Sequence, residues 1–364
     1  MRIPAELLPA DGRFGSGPAL VRPESIARLA ASTTIGTSHR QAPVRRLVGS
    51  VRERLATLLG APDGYEILLG NGGSTAFWDA ATFSLVRERA AHGAFGEFGE
   101  KFARATDSAP FLAPSLITRA EPGSCALPAP AAGVDTYAWP HNETSTGVLA
   151  PLRRVDDGGG LVVVDGTSAA GGVDVDLAAV DVYYFAPQKN LGSDGGLWFA
   201  AVSPAAVERI EEVAASKRWI PEFLSLKVAL DNSRADQTLN TPAIATLEML
   251  DAHLEWVLEA GGLAWAAARA RESSGIVYRW AEGSGFARPF VADPGLRSPV
   301  VATVDLEGVE AEKVNAALRE NGIVDTFAYR KLGRNQLRIA TFPAREPADV
   351  ELLTRAIDYV AGAA

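Results

Sequence analysis

The sequence predicts an α/β protein: a mostly parallel sheet covered by helices on both faces, followed by a small C-terminal α+β unit. Three observations carry that expectation. Short apolar runs at Leu161–Val164, Val182–Phe185 and Leu197–Val202 are set among segments of helical spacing. A strand-like run, Tyr65–Leu69, passes through Gly70-Asn71-Gly72-Gly73-Ser74-Thr75 into a helical stretch, the arrangement that cradles a phosphate on a helix start. Beyond residue 275 the pattern changes to shorter strands and helices.

Taken in chain order, Pro43–Gly60 spaces Val44, Leu47, Val48, Val51, Leu55, Leu58 and Leu59 on one helical face, with Pro43 in the first turn and Gly60 as the stop. The spacing predicts the next helix over about Ala76–Ala90. Further strands are expected at Leu116–Arg119 and Asp135–Ala138. A long alanine-rich connecting helix is expected from Pro242 to about Arg271. The C-terminal unit reads as strands at Val300–Val304 and Gln336–Thr341 with helices at Val309–Asn321 and Ala348–Val360. No internal repeat and no low-complexity linker interrupts the chain.

Composition narrows the function. The chain has 364 residues, 47% apolar and 22% charged, which is ordinary for a globular protein with a large core. No apolar run approaches the roughly 18 residues needed to span a bilayer, and the N-terminus lacks the apolar stretch of a secretory signal. One cysteine, Cys125, excludes an internal disulfide and a cysteine metal cluster. His39, His92, His141 and His253 show no metal-ligand spacing. The expectation is a cytoplasmic protein without metal or membrane attachment. A net charge of −9 argues against nucleic acid as a partner. Against that acidic background stand two cationic groups: His39, Arg40, Arg45 and Arg46, and later Arg330, Lys331, Arg334 and Arg338. Local cationic clusters suit small anionic ligands, and they equally suit solvated helix starts.

Lys189 lies in APQKNLG between two apolar runs that read as buried strands. Burying a lysine is costly and favours its neutral amine, the form that Schiff-base chemistry requires. Asp165 ends the apolar run Leu161–Val164, where ligands of parallel α/β sheets sit. It suits a partner for a pyridinium nitrogen, and it equally suits the cap of a turn. The loop His141-Asn142-Glu143-Thr144 offers side-chain donors, with Thr144 or Asn142 able to bond a ring oxygen. Asn240-Thr241-Pro242 suits a helix cap or an anion site. Arg338, in an alternating strand, could fork a carboxylate.

The motifs together are more specific than any one of them. FGSGP at 14–18, SHR at 38–40, GNGGST at 70–75, HNETSTG at 141–147, VVDGTSAAGG at 163–172, APQKNLG at 186–192 and NTP at 240–242 follow in this order. The chain resembles, over essentially its whole length, the phosphoserine aminotransferase family in its actinobacterial form. That family belongs to class V of the fold-type I pyridoxal phosphate enzymes. The resemblance implies an N-terminal arm over residues 1–15, a large cofactor-binding domain over 16–255 and a small domain over 256–364. It implies a homodimer with shared active sites. Lys189 would hold pyridoxal 5'-phosphate as a Schiff base and shuttle a proton, and Asp165 would pair with the ring nitrogen. Phe98 would stack on the ring, a position often tryptophan in the family, and Thr144 would contact the ring. Ser74, Thr75 and Gln188 would hold the cofactor phosphate, with Asn240 and Thr241 reaching across from the other subunit. Arg338 would bind the substrate α-carboxylate. His39, Arg40, Arg46 and Arg330 would bind the distal anion.

The implied reaction is reversible amino transfer between glutamate and 3-phosphohydroxypyruvate, giving phosphoserine and 2-oxoglutarate, in serine biosynthesis. Three other readings use part of the same set. An alanine–glyoxylate type aminotransferase would not need the cationic clusters. A cysteine desulfurase would need a mobile reactive cysteine, and Cys125 in EPGSCALP lies outside that context. A non-catalytic pyridoxal phosphate-binding protein would need only cofactor capture.

Overall fold

A computed structural model describes residues 1–155 and 158–362. The chain opens with α1 (Pro23–Ala30) and α2 (Ala42–Leu59), then β1 (Glu66–Asn71), α3 (Ser74–Ser84), β2 (Ala90–Ala94), α4 (Glu97–Asp107) and β3 (Leu116–Arg119). It continues through β4 (Thr136–Pro140), the short hairpin β5 (Asn142–Glu143) and β6 (Val148–Leu149), β7 (Leu161–Asp165), β8 (Val182–Phe185) and β9 (Leu197–Val202). Next come α5 (Pro204–Ala215), α6 (Leu226–Arg234), α7 (Ile244–Glu259) and α8 (Gly262–Gly283). The last elements are β10 (Ala287–Pro289), β11 (Val301–Leu306), α9 (Ala311–Glu320), β12 (Gln336–Ala340) and α10 (Pro347–Gly362).

Among the described residues a seven-stranded sheet runs in the order β1-β9-β8-β7-β4-β2-β3. Neighbours from β8 to β3 are parallel, and β9 is antiparallel to both β1 and β8. Two-residue alternation sends successive side chains to opposite helical layers. Val162, Val164, Tyr183, Phe185 and Phe199 join the core formed with α2 and α7. Val163, Val182, Tyr184, Trp198 and Ala200 join the core with α3, α5 and α6. Buried on both faces, these strands read as continuous apolar runs, and each such side chain contributes about 1.5–3 kcal/mol by leaving water.

A separate core lies under the three-stranded antiparallel sheet β10-β11-β12, packed by α8, α9 and α10. Ile3 and Phe14 from the N-terminus are part of it. α8 belongs to both cores, through Ala266 to the first and Val277 to the second.

Two expectations need correction, and one helix gives no apolar signal in the sequence. The stretch expected as helix to Ala90 ends at Ser84, and β2 begins at Ala90, because the alanine-rich sequence AAHGA is fully buried between two strands and extended there. The segment 97–107 is a helix whose small hydrophobic share hid it from an apolar count; its face is set by Phe102, Ala103 and Thr106. The single helix expected over 242–271 is two, broken at Gly261 and Gly262, whose φ values of 122° and 68° suit glycine alone.

Three histidines are sealed in these cores. Burial holds His92 and His253 neutral down to about 3 and His141 down to about 4, against an ordinary 6.5. Neither ring nitrogen of His253 makes a hydrogen bond of good geometry, the Asn190 backbone being a weak partner. The unfolded chain therefore binds protons below pH 6.5 that the folded chain refuses, so stability falls as pH drops from about 6.5 toward 4. His253→Leu should fold, and it should flatten that loss by about 1 kcal/mol per pH unit. Denaturant midpoints between pH 7.5 and pH 5 check this; an unchanged slope would contradict it.

Candidate active site

Lys189 sits on the connection from β8 to the antiparallel β9, at the C-terminal ends of the parallel strands. The loop is fastened throughout. Gln188 O accepts from the Ala19 N–H (2.9 Å), Asn190 Nδ2 donates to Ser168 O (2.9 Å), and Ser193 Oγ donates to Thr246 O (2.7 Å). Gly192 is required: its φ is 56°, and a Cβ there would lie 2.4 Å from His253 Nδ1. The Lys189 amine donates to the Ser16 carbonyl, and a Cβ on Gly17 would lie 2.5 Å from Nζ. Burial, then the nearby Arg338 charge, lowers the amine to about 8, while Asp165 and Glu143 oppose the shift. A far larger neutral fraction is therefore present near neutrality than for an exposed lysine.

Asp165 closes β7 on the other side of the cavity. It accepts from the Thr167 N–H (2.8 Å) and pairs with the Tyr184 hydroxyl, to which Trp78 Nε1 donates at 2.8 Å. Burial raises its pKa, against Thr167, Tyr184 and the Lys189 charge. Ser74 Oγ shares a hydrogen bond of 2.6 Å with Thr167 Oγ1, which joins the glycine turn to the Asp165 loop. α3 begins at Ser74 with no side-chain cap, so its positive end faces the cavity. Gly70, near the end of β1, lets the Trp198 ring of β9 pack against the strand, since a Cβ there would lie 2.3 Å from that ring.

The loop after β4 supplies the third wall. Thr144 Oγ1 and Asn142 Nδ2 both bond Ser168 Oγ, at 2.7 and 2.8 Å. Glu143 is fully buried. One of its oxygens accepts from the Phe98 and Gly99 N–H groups, both at 3.0 Å, and the other from Ser145 N–H (3.1 Å) and Oγ (2.6 Å). A carboxylate thus caps the start of α4 and sets the position of Phe98. Burial raises the Glu143 pKa against the Ser145 and Gly99 donors.

Ser74, Thr75, Phe98, Thr144, Asp165, Gln188 and Lys189 line one cavity of about 400 Å³. Arg338 adjoins it from β12: Nη1 donates to Thr144 O at 3.2 Å, Nε is buried without a partner, and no carboxylate pairs with it among the described residues. The other expected residues do not line this cavity. His39 and Thr241 bond each other (3.0 Å), and Arg40 bonds Gln237 Oε1 (2.6 Å) and, at 3.4 Å, Leu239 O. With Asn240 they form a separate patch of the chain. Arg46 is exposed on α2, and Arg330 is exposed beside a groove of the small unit. The second cationic cluster is also smaller than it reads, since Lys331 pairs with Glu97 and Arg334 with Asp305. Trp78, Thr167, Glu143 and Tyr184 shape the site without having been singled out; only their nearness in the fold reveals them. Cys125 lies outside it, and burial pushes its thiol up to about 11, which keeps it protonated and unreactive.

The cavity fits a phosphorylated pyridine. Its volume is in the range of small-molecule sites. An uncapped helix start and Ser74 suit a phosphate, and an amine and a carboxylate face each other across the ring-sized space. Gln188 Oε1 and Asn142 Oδ1 are buried without partners, which is the mark of groups meant for a ligand.

Residues 132–326 match the aminotransferase class-V family. The chain is 57% identical over 363 residues to a putative phosphoserine aminotransferase of Mycolicibacterium vanbaalenii, covering 99% of this chain and 98% of the relative. It is 57% identical over 366 residues to a phosphoserine aminotransferase of a Nocardioides species, covering 99% and 98%. Among solved structures, a phosphoserine aminotransferase from Cytophaga hutchinsonii aligns with a TM-score of 0.90 at 22% identity, over 96% of this chain and 98% of that one. A pyridoxal phosphate-bound phosphoserine aminotransferase from Trichomonas vaginalis aligns with a TM-score of 0.81 at 19% identity, over 95% and 99%. At such identities the structural likeness is one of fold, the fold-type I architecture.

Glu143 gives this site a sharp test. In Glu143→Gln one oxygen becomes a donor, so two of four donors lose their acceptor whichever way the amide turns. Stability should fall by about 2–3 kcal/mol in denaturant unfolding, with faster hydrogen exchange at the start of α4. A loss below about 0.5 kcal/mol would contradict the capping role.

Proposed function

The chain belongs to the phosphoserine aminotransferase family of class-V aminotransferases, and from that premise we propose that it transfers the amino group of glutamate to 3-phosphohydroxypyruvate, giving phosphoserine and 2-oxoglutarate. It is a pyridoxal phosphate-dependent enzyme acting on small molecules. The observation that carries the reading is the trio around one cavity: a Lys189 amine lowered to about 8, Asp165 opposite, and a half-buried Arg338 with no carboxylate partner among the described residues.

Pyridoxal phosphate, when bound, supplies an aldehyde that condenses with amines and a ring that accepts electrons from the substrate carbon. The chain's own residues do the rest. Lys189 would hold the cofactor through its amine, and its nitrogen, when uncharged, would carry a proton between the substrate Cα and the cofactor. Asp165 holds the proton on the ring nitrogen; burial makes this carboxylate costly when unpaired, so it gains most from a cationic N–H beside it. Ser74, Thr75 and Gln188 hold the phosphate at the start of α3. Phe98, set by Glu143, would pack on the ring, and Thr144 would bond it. Arg338 forks the substrate α-carboxylate, and its buried position strips competing water from that pair.

The same reading divides the chain at residues 15 and 255 into an arm, a large and a small domain; the chain has two separate cores, the first reaching past residue 255 through Val257, Ala266 and Val291 and the second taking in Ile3 and Phe14. It makes the protein a homodimer. Asn240, Thr241, His39 and Arg40 lie together outside their own cavity, as residues offered to a partner's cavity would, and Arg46 and Arg330 are exposed cations able to join the distal anion site. No described helix is long and apolar enough to cross a membrane.

Two outcomes are expected. Glutamate added to the yellow holoenzyme should shift the cofactor absorbance to the pyridoxamine form, and Lys189→Ala should bind cofactor non-covalently while losing at least about a thousandfold in turnover. A Lys189→Ala enzyme keeping a tenth of the activity would overturn the assignment. Mixing inactive Lys189→Ala with an inactive Asn240→Ala/Thr241→Ala variant should restore about a quarter of wild-type activity through dimers with one intact site. No restoration after subunit exchange would refute shared sites.

A further inference from the structure

We propose that Tyr329 is a positioning residue that fixes the guanidinium plane of Arg338 and couples it to Phe98; the inference rests on the transamination reading above. Tyr329 opens the single helical turn Arg330–Leu332, on the connection from α9 to β12. Its ring touches both groups that the reaction needs aligned. The Arg338 guanidinium lies 5.4 Å from the ring centroid. Phe98 meets the ring edge-on, with centroids 6.0 Å apart and planes at 62°. Phe98 belongs to α4 of the large unit and Arg338 to β12 of the small one, so Tyr329 is one of the side chains, with Arg338 and Lys331, that join the two units beside the cavity.

The need for such a residue follows from what Arg338 lacks. Its side chain makes one hydrogen bond, the 3.2 Å contact with Thr144 O, and has no carboxylate partner. A guanidinium held at one nitrogen can swing about that bond. Parallel capture of both oxygens of a carboxylate requires a fixed plane, and an aromatic face supplies it while leaving the N–H edge free. The ring faces the guanidinium, and the hydroxyl makes no hydrogen bond among the described residues; burial, then the Glu97 charge, raises the phenol's pKa. Lys331, two residues on, pairs with Glu97 at 2.5 Å and holds the same turn against α4. That pair is exposed and adds little by itself, so the aromatic contact sets the geometry.

The test compares Tyr329→Leu with Tyr329→Phe, both as holoenzymes. Glutamate KM and the affinity for glutarate, an unreactive dicarboxylate read by cofactor absorbance, are measured beside cofactor affinity and thermal midpoint. Tyr329→Leu should weaken glutamate and glutarate about five- to tenfold with cofactor affinity unchanged, and Tyr329→Phe should stay within about twofold of wild type. Glutarate binding by Tyr329→Leu within twofold of wild type would overturn the proposal. So would a Tyr329→Phe enzyme as impaired as the leucine variant, because the hydroxyl would then be the working group. Tyr329→Met makes the same comparison should the leucine variant misfold. The glutarate titration judges Tyr329 whether or not glutamate is turned over; wild type that binds glutarate without converting glutamate would fault the functional reading alone.

Discussion

The enclosure of one amine governs the architecture of this site. Lys189 can hold an aldehyde and move a proton only if its nitrogen spends time uncharged, and water around an exposed lysine prevents that near neutral pH. The fold removes the water. The amine is enclosed between the β8–β9 connection and the segment at Ser16 and Gly17, with the Arg338 charge nearby. The result is a value near 8, set mainly by burial. Such an amine would be unstable in an apolar hole without acceptors. The Ser16 carbonyl supplies one, and the carboxylates Asp165 and Glu143 limit the fall.

That enclosure depends on sheet topology. β7 and β8 deliver Asp165 and the Lys189 loop to the same end of the sheet because they are parallel neighbours, with Asp165 opposite Tyr184. β9 then returns antiparallel, which keeps the Lys189 connection short and pins it between two buried strands. The glycine turn after β1 reaches the same end because β1 is antiparallel to β9 in turn. The glycine turn, the carboxylate and the lysine are therefore neighbours through strand order, although more than a hundred residues separate Ser74 from Lys189.

Much of this was legible in the sequence, for identifiable reasons. Strands buried on both faces announce themselves as apolar runs, which is why Leu161–Val164, Val182–Phe185 and Leu197–Val202 fall on β7, β8 and β9. The lysine and the strand-end aspartate stand out because charge beside such runs is costly. What stayed hidden depends on long-range pairing. Glu143 sits in a polar loop and reads as an ordinary surface residue; only the approach of α4 turns it into a fully buried cap. Tyr329 lies in a stretch without periodicity, and its partners come from two other segments. β2 escaped because alanine favours helix locally, while tertiary burial between β3 and β4 overrode that preference. The arginine near residue 334 misled for the opposite reason: an ion pair with Asp305 across the small sheet takes it out of the ligand-binding set.

The two buried cations also explain each other. Arg338 is the first charge to depress the Lys189 amine, and it has no carboxylate of its own to neutralise it. In the proposed reading, a substrate carboxylate at Arg338 would cancel that repulsion, and the proton affinity of the Lys189 nitrogen would rise in step. An amine without an α-carboxylate would gain neither orientation nor that stronger base, which gives a physical reason for leaving this arginine without a permanent carboxylate partner.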